Sequence, residues 1–307
     1  VISGIGEGAL LALLREQKIV TDLGNTVLRA LPSGYSCRFW ELRSKSRIFI
    51  IKEFFANVIN DPLYAVSPEV EVAALSRLNG VGLAPELAGS MISPDGNPMV
   101  IYTYVPAKAV EIDVKEAAQL LGSLAGQDVS NCVLKKVPSG AFSVLRHADG
   151  ILARITNNRR AENLRKLRPQ DNDFPDDGPG VAALVHRTLC LGTLLSTNAG
   201  PRLIDWQYAG IGDPAEDLAC FLSPGLLSLY GLRPLPAYME ERFIRFYPDS
   251  EVLERFKRER MAYHWRIAAY CLFRQEMFRR THPPASRAYG RALEEEIDLL
   301  LRLRTRS

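Results

Sequence analysis

The sequence predicts an α+β protein with a strand-rich N-terminal part, 1–105, and a larger, mainly helical part, 106–307. Three observations predict it. Short apolar and β-branched segments crowd the first third of the chain, Val27–Leu31 and Ile48–Lys52 among them. Pro106 closes the last of these, Met99–Val105. From Val114 onward helical periodicity dominates. The 307 residues suffice for one large domain or two ordinary ones. With 47% apolar and 24% charged residues the chain is neither disordered nor collagen-like.

The apolar run 9–14 is closed by Arg15, Glu16 and Lys18, so it reads as a short amphipathic helix. It is too short for a membrane span of roughly 18–20 apolar residues, and it lacks the basic start and small-residue cleavage site of a secretory leader. Val27–Leu31 is a strand, 32–36 a turn-forming cluster, and 38–42 resumes the extended pattern. After a turn over 43–47, Ile48–Lys52 forms a third strand. Ser67-Pro68-Glu69 opens a helix with a cap residue, an early proline and an early acid. Val72, Leu75 and Leu78 supply its buried face, and Asn79-Gly80 ends it. Met99–Val105 is the next strand. The helical part is interrupted mainly by the acidic, turn-rich stretch 169–180. Two strand-like pieces, Ala183–Val185 and Arg202–Ile204, then bracket a loop as a hairpin-like unit, and each ends in a polar group, His186 and Asp205. Residues 210–214 read as a loop, and Asp217 opens an apolar helix. Met261, Trp265, Ala268 and Leu272, at 4-3-4 spacing, mark a core helix.

Several function classes are excluded. Five cysteines, at 37, 132, 190, 220 and 271, are odd in number and form no C-x-x-C pair. Neither a disulfide framework nor a zinc site is expected, and a reducing cytoplasm fits. Cys190 has no evident activating neighbour and reads as a small buried thiol. Four histidines leave no multi-histidine metal centre. Net charge is +3, with residues 242–306 carrying 15 Lys/Arg against 9 Asp/Glu. Acids and bases interleave there, as in Arg258-Glu259-Arg260, which describes a solvated helix face rather than a nucleic-acid surface. The acids at 171, 173, 176 and 177 read as a solvated loop or as an attractant for a cationic substrate.

The chemistry concentrates in 181–222, above all in the string LIDWQYAGIGDPAEDLA from Leu203 to Ala219. With Lys52, Glu71 and the pattern Asp205-Trp206…Asp213-Pro214…Asp217, the chain from about Val27 to about Gln275 resembles the choline kinase and aminoglycoside phosphotransferase group. The resemblance implies a two-lobed, protein-kinase-like fold. It implies that Lys52 pairs with the α/β-phosphates of ATP or another purine nucleotide and that Glu71 orients it. Gly34 and Ser36 would lie in the turn over the phosphates. Tyr102 and Tyr104 would belong to the hinge that meets the base. Asp205 would hold Mg²⁺, a hard cation that takes oxygen anions. His186 would be a structural residue of the catalytic loop, and Asp217 would brace that loop.

The departures carry equal weight. Where the group reads His-Gly-Asp, four residues, Asn, this chain has His186-Arg187-Thr188, four residues, Thr193. Thr188 stands at the place of the proton-accepting aspartate and Thr193 at that of a metal-binding asparagine. A positioned base contributes ~10²–10⁴-fold, about 3–5 kcal/mol of barrier. Losing a metal ligand as well removes charge neutralisation, on which phosphoryl transfer chiefly depends. The expectation is a divergent family member that binds nucleotide with Mg²⁺ while its phosphoryl transfer is weak or lost, a pseudokinase with a small-molecule ligand and a protein partner. The alternative is an active ATP-dependent kinase for a hydroxyl of a small, cationic alcohol such as choline or an aminoglycoside. Transfer of another group, such as a nucleotidyl unit, is a third class. Neither nucleic acid nor membrane is an expected partner.

Overall fold

The computed structural model describes residues 7–17, 19, 26–32, 37–45, 47–55, 67–108, 113–174, 182–188 and 191–305. Contacts divide the chain into two compact units, one of 1–109, 132–134 and 196–209, the other of 110–131, 135–195 and 210–307. In chain order the elements begin with α1 (Glu7–Glu16), β1 (Val27–Leu31), β2 (Cys37–Arg43), β3 (Ile48–Phe54), α2 (Pro68–Leu78), β4 (Leu87–Ile92) and β5 (Pro98–Thr103). They continue with α3 (Val114–Ala125), α4 (Ala141–Ala153), α5 (Arg159–Lys166), β6 (Ala183–Val185), β7 (Leu194–Leu195), β8 (Arg202–Leu203) and β9 (Gly210–Gly212). The remainder is helical: α6 (Ala215–Phe221), α7 (Pro224–Leu229), α8 (Ala237–Phe246), α9 (Ser250–Thr281) and α10 (Pro283–Arg304).

The first unit is built on a five-stranded antiparallel sheet in the order β1-β2-β3-β5-β4. Side chains alternate across it. Trp40, Leu42, Phe49, Ile51, Met99 and Ile101 share one face with Leu10 and Leu14 of α1, forming a single apolar cluster. The alternation sends Lys52 to the opposite face, beside the rings of Phe39 and Phe54. Strand β5 ends at Thr103, two residues before the expected Val105, so Tyr104 lies outside it and is exposed. Strand β4 has no counterpart in the sequence reading. Its burial alternates between half-buried and exposed, and its residues LAGSMI include few β-formers.

Helix α2 begins and ends as the sequence predicts, with a shifted phase. Glu71, Ala74, Leu75 and Leu78 are buried, an i, i+3, i+4, i+7 stripe that places a carboxylate among apolar residues and leaves Val72 half-buried. Ser67 has the extended conformation of a cap residue, but its hydroxyl donates to the Glu69 carboxylate instead of accepting from the helix.

In the second unit α9 is buried without a break from Ala262 to Leu272, including the expected Trp265, Ala268 and Leu272. The expected hairpin-like unit and the loop over 210–214 are both corrected. Strand β6 pairs antiparallel with β9, a strand formed by Gly210–Gly212. The glycines concealed it, because sequence reading treats Gly-Ile-Gly as a turn. Here they permit close approach: a Cβ at Gly210 or Gly212 would stand 2.4 or 2.5 Å from Val137.

Candidate active site

The strongest polar cluster in the first unit centres on Lys52. The side chain is fully buried, with Nζ 2.8 Å from Glu71 Oε2 and donating to Asp205 Oδ1 at 2.5 Å. Strand alternation brings Lys52 to this face, the buried stripe of α2 brings Glu71, and the segment after β8 brings Asp205. Phe39 and Phe54 flank the ammonium, with centroids 5.8 and 5.1 Å away. Burial works to neutralise Lys52, yet Asp205 and then Glu71 outweigh it and hold its pKa well above the usual lysine range. Burial raises the Glu71 pKa against the pull of Lys52. Burial also pushes the Cys37 thiol up to about 12 despite the neighbouring lysine, so this cysteine is a packing group whose Sγ lies 3.4 Å from Gln207 Oε1.

Asp205 is one of three described non-glycine residues with positive φ, at 71°, a conformation that Asp tolerates better than most side chains. Trp206, next in sequence, is buried and anchors the turn by donating from Nε1 to Leu203 O at 2.9 Å. The backbone N–H of Leu203 donates to Leu83 O at 2.8 Å. The Asp205 side chain keeps about a quarter of its surface exposed, so it alone of the three charged groups is open to an added ligand. Among the described residues no group of three or more His, Cys, Asp or Glu could hold a metal. A divalent cation at Asp205 would need phosphate oxygens and water for its other ligands, the usual way Mg²⁺ is held beside a nucleotide. The donor set fits that ion.

The second unit carries the other predicted residues. His186 is buried at the end of β6, and its backbone N–H donates to Asp217 Oδ2 at 2.8 Å. The Arg187 N–H donates to Asp217 Oδ1 at 2.6 Å. Both carboxylate oxygens of Asp217 therefore tie this loop to α6. Burial nevertheless raises the Asp217 pKa to about 7, against the two N–H groups that lower it. Arg187 has φ 73°, at the position where the resembled group has glycine. Its guanidinium is buried and bonds Glu216 Oε1 at 3.1 Å, and Arg266 reaches the same oxygen. Burial would raise the Glu216 pKa, but the two guanidinium groups hold it low. Thr188 is half-buried, with Oγ1 3.5 Å from His186 Nδ1, too long for a strong hydrogen bond. Thr193 is fully buried.

Tyr102 is buried on β5, and burial raises its pKa. Gly34, Ser36, Cys190, Asp176 and Asp177 lie outside the described residues. Sequence reasoning missed the Arg187–Glu216–Arg266 network and the ion pair of Asp213 with Arg255, at 2.8 Å. The one available signal for the network was Arg266, a charged residue inside the aromatic and aliphatic stretch 261–273 of α9.

A family-level comparison matches residues 27–256 to the phosphotransferase enzyme family. A comparison with curated proteins gave no match. Among solved structures, the chain is similar to choline kinase LicA from Streptococcus pneumoniae, with TM-score 0.63 and 15% identity over 94% of this chain and 98% of that one. It is similar to choline kinase from Cryptosporidium parvum Iowa II, with TM-score 0.61 and 13% identity over 97% of each chain. It is also similar to a thermostable mutant of aminoglycoside phosphotransferase APH(4)-Ia in ternary complex with AMP-PNP and hygromycin B, with TM-score 0.63 and 16% identity over 94% of this chain and 98% of that one. At these identities the likeness establishes the fold, which is α+β and protein-kinase-like. Among the described residues no helix is long and apolar enough to cross a membrane.

Proposed function

The chain belongs to the phosphotransferase enzyme family, and from that premise we propose that it binds ATP or another purine nucleotide at Lys52 and Asp205 while its phosphoryl transfer is weak or lost. The observation that carries nucleotide binding is the buried Lys52 held between Glu71 and Asp205. A lysine kept fully charged in an apolar setting is a fixed point charge suited to phosphate oxygens. Solved neighbours carry AMP-PNP and AMP, which supports the same reading. Tyr102 and Tyr104 would lie along the base, and Gly34 and Ser36 over the phosphates. Asp205 would hold Mg²⁺, which when bound supplies positive charge to the bridging phosphates.

The weakness of transfer rests on the loop. Residues 186–195 contain no carboxylate, and the carboxylates of Asp217 and Glu216, which bond the described part of this loop, are already engaged, Asp217 by two N–H groups and Glu216 by two guanidinium groups. A threonine hydroxyl at 188 does not take a proton near neutral pH, and buried Thr193 is at best a neutral oxygen donor. The ligand beside the nucleotide would be a small molecule, cationic by analogy with the choline kinases and with the hygromycin B complex among the neighbours. A protein partner would read out its occupancy.

Calorimetric titration with ATP tests the reading. Magnesium-dependent binding that Asp205→Ala weakens is the expected result. Failure to bind at millimolar ATP, or an Asp205→Ala variant with unaltered affinity in Mg²⁺, overturns it. Rapid turnover of ATP with choline or an aminoglycoside as acceptor would establish the active-kinase alternative instead.

A further inference from the structure

Lys52 is one ammonium facing two carboxylates. Glu71 Oε2 stands 2.8 Å from Nζ, and Asp205 Oδ1 accepts its hydrogen bond at 2.5 Å. The two acids are held differently. Glu71 is fully buried, and besides Lys52 it accepts a hydrogen bond from the backbone of Trp206. One such carboxylate is enough to pair a buried ammonium. Asp205 is the second. Its side chain is 26% exposed, against 1% for Lys52 and for Glu71. Among the described residues Lys52 is its one hydrogen-bond or ion-pair partner.

Formally the trio carries one negative charge in excess, and that excess lies on the member that reaches solvent. An anion drawn to Lys52 therefore meets the Asp205 carboxylate. A carboxylate and a phosphate oxygen compete for the same donors of one ammonium, and two anions beside one cation repel each other. Asp205 accordingly opposes a bare polyphosphate. With a divalent cation bound to it, the same carboxylate presents net positive charge to the phosphates instead.

Resting on the nucleotide reading above and going beyond it, we infer that Asp205 is a tethered competitor for phosphate at Lys52 and the residue by which the site rejects cation-free nucleotide. Its worth to binding thus changes sign with the form of the ligand. It weakens the hold on free ATP and strengthens the hold on ATP complexed with a divalent cation.

The test is calorimetric titration of ATP in EDTA and again in excess Mg²⁺, at one ionic strength, into the parent, Asp205→Asn and Asp205→Gly. Asn and Gly both suit the φ of 71° at this position, and both remove the charge, so one well-folded variant suffices. In EDTA the variants should bind ATP about tenfold or more tightly than the parent. In Mg²⁺ the order should reverse. A role confined to holding the turn would lower the variants' affinity under both conditions. Variant affinity in EDTA equal to or below that of the parent overturns the inference, and binding by the parent in Mg²⁺ then leaves the nucleotide reading standing. No binding of ATP to any of the three proteins under either condition removes both.

Discussion

Lys52 shows how one side chain sets the stability of its surroundings. Taking an ammonium and a carboxylate out of water costs several kcal/mol per ion, and only their mutual attraction offsets it. Replacing Lys52 by Met strands Glu71 as a buried, unpaired carboxylate. Urea denaturation should register a loss of roughly 3–5 kcal/mol. The double variant K52M/E71L should be more stable than K52M alone, because both buried charges are then gone; a further loss would mean that Glu71 is stabilised by other partners. Asp217 yields a prediction with a definite sign. Its pKa stands near 7 in the folded protein against an ordinary 3.8, so the native state holds the proton more tightly than the unfolded chain. Its contribution to stability is full below about pH 4 and is lost as pH rises to about 7. Measured across that window, the stability difference between Asp217→Asn and the parent should move in favour of the variant. Movement the other way would show that the two N–H groups outweigh burial and keep Asp217 ionised.

Among the elements, β9 was read as a loop and is the most easily tested. Its two glycines give no strand propensity, and its place depends on how closely Val137 approaches. Gly212→Ala should cost about 1–3 kcal/mol through overpacking, read from the shift in denaturation midpoint. Adding Val137→Ala removes the methyl group that the new Cβ would meet and should recover part of the loss. No recovery would locate the strain at Ser139 or Val185, the other neighbours of that position. Strands β1 and β6 were readable to the residue because their runs are apolar and bounded by turn signals. Helix α2 was readable in extent, but its phase was not. Leucine and valine spacing pointed to Val72, whereas the buried stripe runs through Glu71. A carboxylate on a buried face contradicts hydropathy and is explained only by Lys52 on the strand opposite.

For the molecule as a whole, the proposed nucleotide binding and the proposed weakness of phosphoryl transfer are open to separate tests by substitution. If the loop alone limits phosphoryl transfer, T188D/T193N should raise ATP turnover by about 10²–10⁴-fold, the usual worth of a positioned base, in a coupled assay with a small alcohol acceptor. An unchanged rate with intact ATP affinity would place the deficit in the acceptor site. The family and the fold class could be read from the linear chain, because the string 203–219 together with Lys52 and Glu71 resembles the family; the roles expected of Lys52, Glu71, Asp205 and Asp217 came with that resemblance. Contacts across the sequence could not be read that way. Lys52 lies 153 positions from Asp205, and Arg187 reaches Glu216 and through it Arg266. The charge state of Lys52, the burial of Glu71 and the unusual backbone at Arg187 arise from desolvation and pairing among residues remote in sequence. Those energies exist only once packing has brought the groups together and excluded water, so folding alone decided them.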